Sequence, residues 1–152
     1  MNKISKIALS CVLALTVTAG LVQAQQRDTR SAEEKEFVFR DSLFRVIGHK
    51  AAQLPEAKAK GDQAAFKKTA ADIAYLAGMI TEGFQIENNI YENSLALPAI
   101  WEDFENFTNR ANVLRDAAQA LADSGDMDSY DQRKFGSDNC GGCHRDHKKR
   151  LN

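Results

Sequence analysis

Residues 62–84 read DQAAFKKTAADIAYLAGMITEGF and carry a regular helical pattern. Their apolar side chains recur at alternating steps of four and three residues, at Phe66, Ala70, Ile73, Ala77, Ile80 and Phe84. This heptad spacing puts one apolar seam along a helix that packs against other helices. Asp62 follows Gly61 and suits the N-cap, because its carboxylate can accept a hydrogen bond from the first turn. We therefore predict a core helix that starts at Asp62.

The segment before this helix has the same amphipathic character. Ser31, with Glu34 three residues later, is typical of a capping box. The apolar residues that follow keep helical spacing at Phe37, Phe44, Ile47, Ala51 and Leu54. They predict a helix from about Ser31 to Leu54 with one broad buried face. We expect Pro55 to end it, because proline lacks the amide hydrogen that a helix interior needs.

Two further helices are predicted towards the C-terminus. Residues 87–97 show no clear period and are expected to form a loop. A third helix is predicted from Pro98, a residue favoured in a first helical turn. Its apolar positions are Ile100, Trp101, Phe104, Phe107, Ala111, Leu114, Ala118 and Leu121. Residues 123–126 then break the chain before a weaker fourth helix, expected from about Asp126 to Arg150 and interrupted by Gly136.

Four amphipathic segments with mostly short connections predict an all-α fold, an antiparallel up-down-up-down four-helix bundle. The chain has 152 residues and a net charge of −1, so it lacks the basic field of a nucleic-acid-binding protein. A hydrophobic content of 43% with two prolines excludes a disordered or collagen-like chain. No apolar run reaches the ~20 residues that a confident membrane span requires.

The N-terminus has the pattern of a secretory signal peptide. Lys3 and Lys6 precede a largely apolar run, and small residues flank Gln23 at the expected cleavage site after Ala24. We therefore expect residues 1–24 to be cleaved and residues 25–152 to form the bundle domain, exported to a bacterial periplasm without a membrane span. An uncleaved anchor and a lipid on Cys11 are the alternatives.

The chemistry is concentrated at Cys140-Gly-Gly-Cys143-His144. Cys-x-x-Cys-His is the signature of covalent c-type haem attachment. Helical positions three apart face the same way, so both thiols can form thioethers to one haem edge. His144 then lies where its imidazole can be the axial ligand of the iron. We predict one covalent haem c, bound by Cys140 and Cys143, with His144 on the metal.

Three other sites could use the same residues. A redox dithiol of the thioredoxin type needs a βαβ setting, and this chain is helical. A structural disulfide suits an exported protein but leaves the adjacent histidine unexplained. A zinc site could combine the two cysteines with His144 and His147, although one short cluster closes a zinc site poorly.

The other face of the iron decides between gas binding and electron transfer. Electron carriers usually place a methionine or a second histidine there. Met79 and Met127 do not lie on the first helix, which is the natural distal wall, and His49 lies off its apolar stripe and is expected at the surface. We therefore expect an open sixth position with Phe44, in the middle of that stripe, as its lid.

Arg40 lies one turn before Phe44 on the same apolar stripe. An arginine on a buried face needs a partner, because an unpaired buried charge is strongly destabilising. A haem propionate would supply that partner through a charge-assisted pair. The alternative is a guanidinium that reaches out to water along the helix surface.

These residues together resemble the cytochrome c′ family over nearly the whole chain after the leader. The similarity rests on Phe39-Arg40-x-Ser42, Pro98-x-Ile100-Trp101, Gly125-Asp126-x-Asp128 and the Cys-x-x-Cys-His motif. The resemblance implies a five-coordinate, high-spin iron, a propionate bound by Arg40, and Phe44 as the distal residue. It also implies binding of nitric oxide and carbon monoxide without stable oxygen binding, and a homodimer formed through the first two helices.

Two positions depart from the family pattern. Family members often have an aliphatic distal residue, and the bulkier Phe44 is predicted to slow or weaken carbon monoxide binding. They often have an arginine four residues after the histidine, where this chain has Lys148. Lysine lacks the planar fork of arginine, so gas chemistry on the proximal face is left open.

The main functional hypothesis is a gas-binding haem protein that is not an enzyme. Its apolar distal pocket would offer no hydrogen-bond donor to bound oxygen. Nitric oxide and carbon monoxide need such a donor much less. The alternative is an electron-transfer cytochrome of the same fold, which would need a redox partner protein. Turnover of nitric oxide or peroxide is a weaker alternative, because no distal acid or base is evident near Phe44.

Overall fold

The computed structural model describes residues 28–150, and the predicted signal peptide, residues 1–24, lies outside this range. Its helices are α1 (Ala32–Lys60), α2 (Gln63–Ala77), α3 (Ala99–Glu102), α4 (Phe104–Ser124), α5 (Gln132–Phe135) and α6 (Gly142–His147). A 3₁₀ turn covers Ile80–Phe84 and a π-helical turn covers Gly136–Gly141. Among the described residues, no helix is long and apolar enough to cross a membrane.

The predicted antiparallel four-helix bundle is confirmed. Its four members are α1, α2, the α3–α4 pair, and the C-terminal helix formed by α5, the π turn and α6. The heptad seam of α2 faces the core, where Phe66, Ala70 and Ile73 are fully buried. As predicted, Asp62 caps α2, its Oδ1 accepting a hydrogen bond from the Ala65 amide at 2.9 Å.

The prediction that Pro55 ends the first helix is wrong. α1 continues to Lys60 and stops at Gly61, whose φ of 68° is left-handed. A proline inside a helix costs about 3 kcal/mol because it removes a backbone hydrogen bond. Burial of Leu54 and Ala57 on either side of the proline offsets this cost. The last turn is also held from outside, since Lys58 Nζ donates to the Tyr130 carbonyl at 2.8 Å.

The third predicted helix is split in two. Pro98 precedes the short helix α3, and the chain leaves helical geometry at Asp103. Asp103 then caps α4, its carboxylate accepting a hydrogen bond from the Asn106 amide at 3.0 Å. An aspartate side chain that competes for backbone amides favours such a restart over helix continuation.

The fourth predicted helix is shorter than Asp126 to Arg150. Asp126 Oδ1 accepts hydrogen bonds from the amides of Asp128 and Ser129, which holds this stretch in a turn. The helix starts only after Asp131, which caps α5. It ends at His147, because Lys148 is extended and forms an isolated antiparallel bridge with Ala96.

Candidate functional site

The Cys-x-x-Cys-His motif lies where the C-terminal helix changes from π-helical to α-helical geometry. Cys140 is in the π turn, while Cys143 and His144 are in α6. The backbone at Gly136, Gly141 and Gly142 stays right-handed helical, so the helix is continuous through the motif. π-helical turns are rare and frequently occur at functional sites. The motif therefore lies on one ordered helix rather than in a loop.

Both motif cysteines lie at the edge of the hydrophobic core. Their thiols are free and partly buried, and they pack against the same core that Phe44 borders. Burial raises the pKa of Cys140. The pKa of Cys143 rises to about 11, mainly through burial, although the nearby Arg110 opposes the shift. Both cysteines are therefore neutral thiols at physiological pH.

The raised pKa values of the two thiols bear on the redox-dithiol alternative, and the surrounding side chains bear on the zinc alternative. A redox-active dithiol needs a thiol with a lowered pKa, and here both pKa values are raised. A zinc site needs several converging donors, and within residues 28–150 no group of three or more His, Cys, Asp or Glu side chains converges in that way. Neither geometry nor electrostatics favours a thiolate site.

His144 is exposed, next to the partly buried Cys143. Partial desolvation and then the charge of Lys148 lower its pKa, so the imidazole stays neutral at physiological pH. A neutral imidazole has the free lone pair that a metal ligand requires. The donor set of two protonated thiols and one neutral imidazole fits a covalently attached haem.

His147 is a buried neighbour of the motif, for which the sequence indicated only a possible role as a zinc ligand. It is 6% exposed, and its ring packs edge-to-face on Phe107 with centroids 5.4 Å apart. Its Nδ1 lies 3.2 Å from the carbonyl oxygen of Cys143. His147 thus packs α6 onto α4 directly behind the motif. The apolar pattern of the weak fourth helix gave no signal for this.

The two glycines between the cysteines allow close packing by arginines. A Cβ on Gly142 would lie 3.3 Å from Arg110 Nη1, which is tight for such a contact. A Cβ on Gly141 would lie 3.6 Å from Arg145 Nη1. Arg110 also pairs with Asp146 at 3.5 Å, which ties α4 to the far side of the motif.

Phe44 lies half-buried on α1 at the border of the core. Its ring contacts Phe84 edge-on, with centroids 6.3 Å apart. The other candidate axial ligands lie elsewhere. His49 is exposed and accepts a hydrogen bond from Gln53 in one tautomer, at 3.1 Å, and Met79 lines a groove between α2 and α4 with Tyr75 and Arg115.

Arg40 is 3% exposed, and protein groups surround its guanidinium. Nη2 donates to the Asn89 carbonyl at 2.6 Å and to Ser94 Oγ at 3.1 Å. Nη1 donates to the Gly83 carbonyl at 3.3 Å and lies 3.6 Å from Glu36 Oε2. Arg40 does not reach out to water, because protein groups surround Nη1 and Nη2.

The partners of Arg40 were missed at the level of sequence. Glu36 lies one helical turn before Arg40, a spacing that favours an ion pair, and this signal was available. Asn89 and Ser94 lie in an aperiodic loop, where no local pattern indicates a partner. Only the tertiary arrangement brings them to α1.

The family model described as Cytochrome C′ matches residues 36–148, which include Arg40, Phe44 and the whole Cys-x-x-Cys-His motif. No match is found among curated protein sequences.

Solved structures with the same fold include cytochrome c prime from Shewanella frigidimarina. It is 27% identical with a TM-score of 0.64, over 80% of this chain and 99% of that chain. A ferrous variant of cytochrome c prime from Alcaligenes xylosoxidans is 22% identical with a TM-score of 0.66, over 80% and 98%. A nitric oxide complex of a mutant of the same Alcaligenes protein is 22% identical with a TM-score of 0.65, over 80% and 100%.

Proposed function

The chain belongs to the cytochrome c′ family, and on this basis we propose that it is a gas-binding haem protein of the bacterial periplasm. Haem c is bound covalently in this family, and Cys140 and Cys143 of this chain are the residues that would attach it. The observation that carries the proposal is the motif itself, with two neutral, partly buried thiols beside a neutral imidazole on one continuous helix.

His144 is the proposed axial ligand, and no other histidine or methionine among residues 28–150 is proposed to bind the iron. His49 is exposed on the surface of α1, and Met79 lies in a groove between α2 and α4. We therefore propose a five-coordinate, high-spin iron. When bound, the haem supplies an iron with one free axial position for a small gas.

The packing of the bundle supports a cofactor between α1 and the C-terminal helix. Among the described residues, α1 packs chiefly on α2 and the 3₁₀ turn, while the π turn and α6 pack chiefly on α3 and α4. Because α1 and the C-terminal helix are not packed along each other, a flat apolar group can lie between them without displacing a helix–helix interface.

Phe44 is the proposed distal lid. Its half-buried ring is apolar and donates no hydrogen bond, so it excludes water from the bound gas without stabilising oxygen. Nitric oxide and carbon monoxide need no such donor. The nitric oxide complex among the structural neighbours is in keeping with this choice of ligand, although it belongs to a different protein.

The other assignments concern Arg40, Lys148 and the oligomeric state. Pairing of Arg40 with a propionate stays a prediction, and no proximal gas chemistry is proposed at Lys148. A homodimer through α1 and α2 is proposed, and Val46 and Tyr75, which are 44% and 75% exposed, are apolar surface on those two helices. The family is one of ligand-binding haem proteins, so no enzymatic turnover is proposed.

Haem attachment can be tested on the full chain expressed in a bacterium that matures c-type cytochromes. We expect the wild-type protein to keep its haem on a denaturing gel and the double variant Cys140→Ala/Cys143→Ala to lose it. His144→Ala should retain the thioethers but change the ferrous absorption bands. The matched control His49→Ala, an exposed histidine, should behave as wild type. Covalent haem in the double cysteine variant would refute the proposal.

A further inference from the structure

A buried polar cluster ties α1 to the loop of residues 85–97. Glu36 Oε1 accepts a hydrogen bond from the Ile86 amide at 2.8 Å, and Oε2 accepts one from Asn89 Nδ2 at 2.6 Å. Arg40 donates from the same helix to the Asn89 carbonyl and the Ser94 hydroxyl. We name these four residues, Glu36, Arg40, Asn89 and Ser94, the loop clamp. All four are buried, at 9% exposure or less.

The far end of the same loop holds the segment that follows the haem motif. The Leu97 amide donates to the His147 carbonyl at 3.0 Å, and the Lys149 amide donates to the Leu95 carbonyl at 2.8 Å. Lys149 Nζ also donates to the Ser94 carbonyl at 3.3 Å. Ala96 and Lys148 form the isolated antiparallel bridge between these two segments. The loop thus connects α1 to residues three to five positions beyond His144.

Close packing leaves the guanidinium of Arg40 little freedom. It lies over the rings of Phe37 and Phe84, with Cζ 5.5 Å and 5.0 Å from their centroids. A Cβ on Gly83 would come within 2.6 Å of Arg40 Cβ, so the 3₁₀ turn is pressed against this part of α1. A buried charge is costly unless its hydrogen-bond and ion-pair partners are all in place. Removing one partner is strongly destabilising, because it leaves a buried charge without compensation.

We infer that the loop clamp is a positioning device that sets where α6 presents His144 relative to α1. The inference rests on the proposed haem site. Arg40 acts through a chain of contacts, from Ser94 to Leu95–Leu97 and on to His147–Lys149. In this role the planar fork of Arg40 matters more than its charge, because one group contacts two carbonyls, a hydroxyl and a carboxylate.

The experiment compares Arg40→Lys with Arg45→Lys in the haem-loaded protein. Arg45 is the matched control, since it lies on the same helix and pairs with Asp41 at 2.8 Å but is 78% exposed. Ser94→Ala, which deletes one hydroxyl, serves if Arg40→Lys fails to fold. Three quantities are measured for each variant: amide exchange at Leu97 and Lys149, the haem reduction potential, and the carbon monoxide association rate.

We expect Arg40→Lys and Ser94→Ala to speed exchange at Leu97 and Lys149 by about tenfold or more, while Ile73 and Leu114 in the core keep wild-type exchange. The reduction potential and carbon monoxide rate should shift in the same variants and stay at wild-type values in Arg45→Lys. A shift in the haem readouts without faster exchange at Leu97 and Lys149 would mean that Arg40 acts on the haem directly, and would overturn the inference.

Faster exchange with unchanged haem readouts would also overturn it, because the clamp would then stabilise the loop without positioning the motif. These results remain distinct from failure of the proposed function. That function fails if the wild-type protein carries no covalent haem, whereas the inference fails if the wild type carries haem and the clamp variants match it.

Discussion

Phe44 is the residue at which a single side chain is expected to set ligand access. Its ring is half-buried on α1 and contacts Phe84 edge-on, so it has a defined resting position. Aromatic pairs of this kind contribute about 0.5–1.5 kcal/mol beyond the area they bury. A gas that binds beneath the ring must displace it and temporarily lose that contact.

We expect Phe44→Ala to bind carbon monoxide faster than the wild-type protein, because no ring has to move aside. Phe44→Leu should fall between the two, since leucine is smaller and lacks the aromatic contact with Phe84. Flash photolysis of the ferrous carbon monoxide complex measures the rates. Val113→Ala, a change at an exposed apolar residue on α4, is the control. Unchanged association rates across the Phe44 series would contradict the lid role.

The site residues differ in how far sequence alone could assign them. Cys140, Cys143 and His144 are recognisable because their chemistry requires a fixed local spacing. The place of Arg40 on an apolar stripe indicated either a buried partner or a guanidinium that reaches out to water, and the structure shows it buried. Its partners were not predicted, because Asn89 and Ser94 lie about fifty residues away in a loop without a period, and local patterns carry no information on such contacts.

At the scale of helices, α1 and α2 are joined by a charged bridge as well as by their apolar seam. Asp72 Oδ2 on α2 lies 2.9 Å from Lys50 Nζ on α1 and 2.9 Å from Lys68 Nζ on its own helix. Hydrogen bonds from these two lysines, Lys50 first, lower the pKa of Asp72. Asp72 is 29% exposed, so water screens the bridge and limits its contribution to under about 1 kcal/mol.

We expect Asp72→Asn to lower the free energy of unfolding near neutral pH by no more than this amount. A carboxylate whose pKa is lowered by folding stabilises the protein above its unfolded pKa of about 3.9, and the contribution is lost as pH falls through the lower folded value. The difference between variant and wild type should therefore shrink in acid. Urea unfolding at neutral pH and at about pH 3 measures it.

Asp41→Asn is the control, because Asp41 pairs with Arg45 within α1 alone. Its effect on unfolding should be smaller, since no second helix is involved. A difference for Asp72→Asn that grows as the pH falls would refute the bridge.

The helix boundaries differ from the predicted ones where tertiary packing or a local side-chain hydrogen bond outweighs the hydrophobic pattern. Pro55 is a strong helix breaker, but burial of Leu54 and Ala57 holds the helix through it. Asp103 and Asp126 carry local signals for capping and turns that the hydrophobic period masked. The π turn at Gly136–Gly141 coincides with the glycine that interrupts the pattern, but a glycine alone does not specify a π turn.

For the whole molecule, the bundle was predictable because its evidence is periodic and distributed over every helix. The heptad seam of α2 and the apolar stripes of α1 and α4 each indicate one buried face. Helices that each bury one face, joined by mostly short connections, favour an antiparallel bundle. The route of the 85–97 loop, which links α1 to the C-terminal helix, was not predictable. It depends on buried polar contacts rather than on any repeated spacing.

The central claim is that the chain holds one haem whose iron has a single protein ligand, His144, and an open face for a gas. The absorption spectrum of the purified protein tests it most directly, recorded in the ferric and ferrous states before and after addition of carbon monoxide. We predict high-spin spectra in both states and a clear shift of the ferrous spectrum with the gas. A low-spin ferrous spectrum with sharp bands that carbon monoxide does not move would show a second protein ligand and contradict the account.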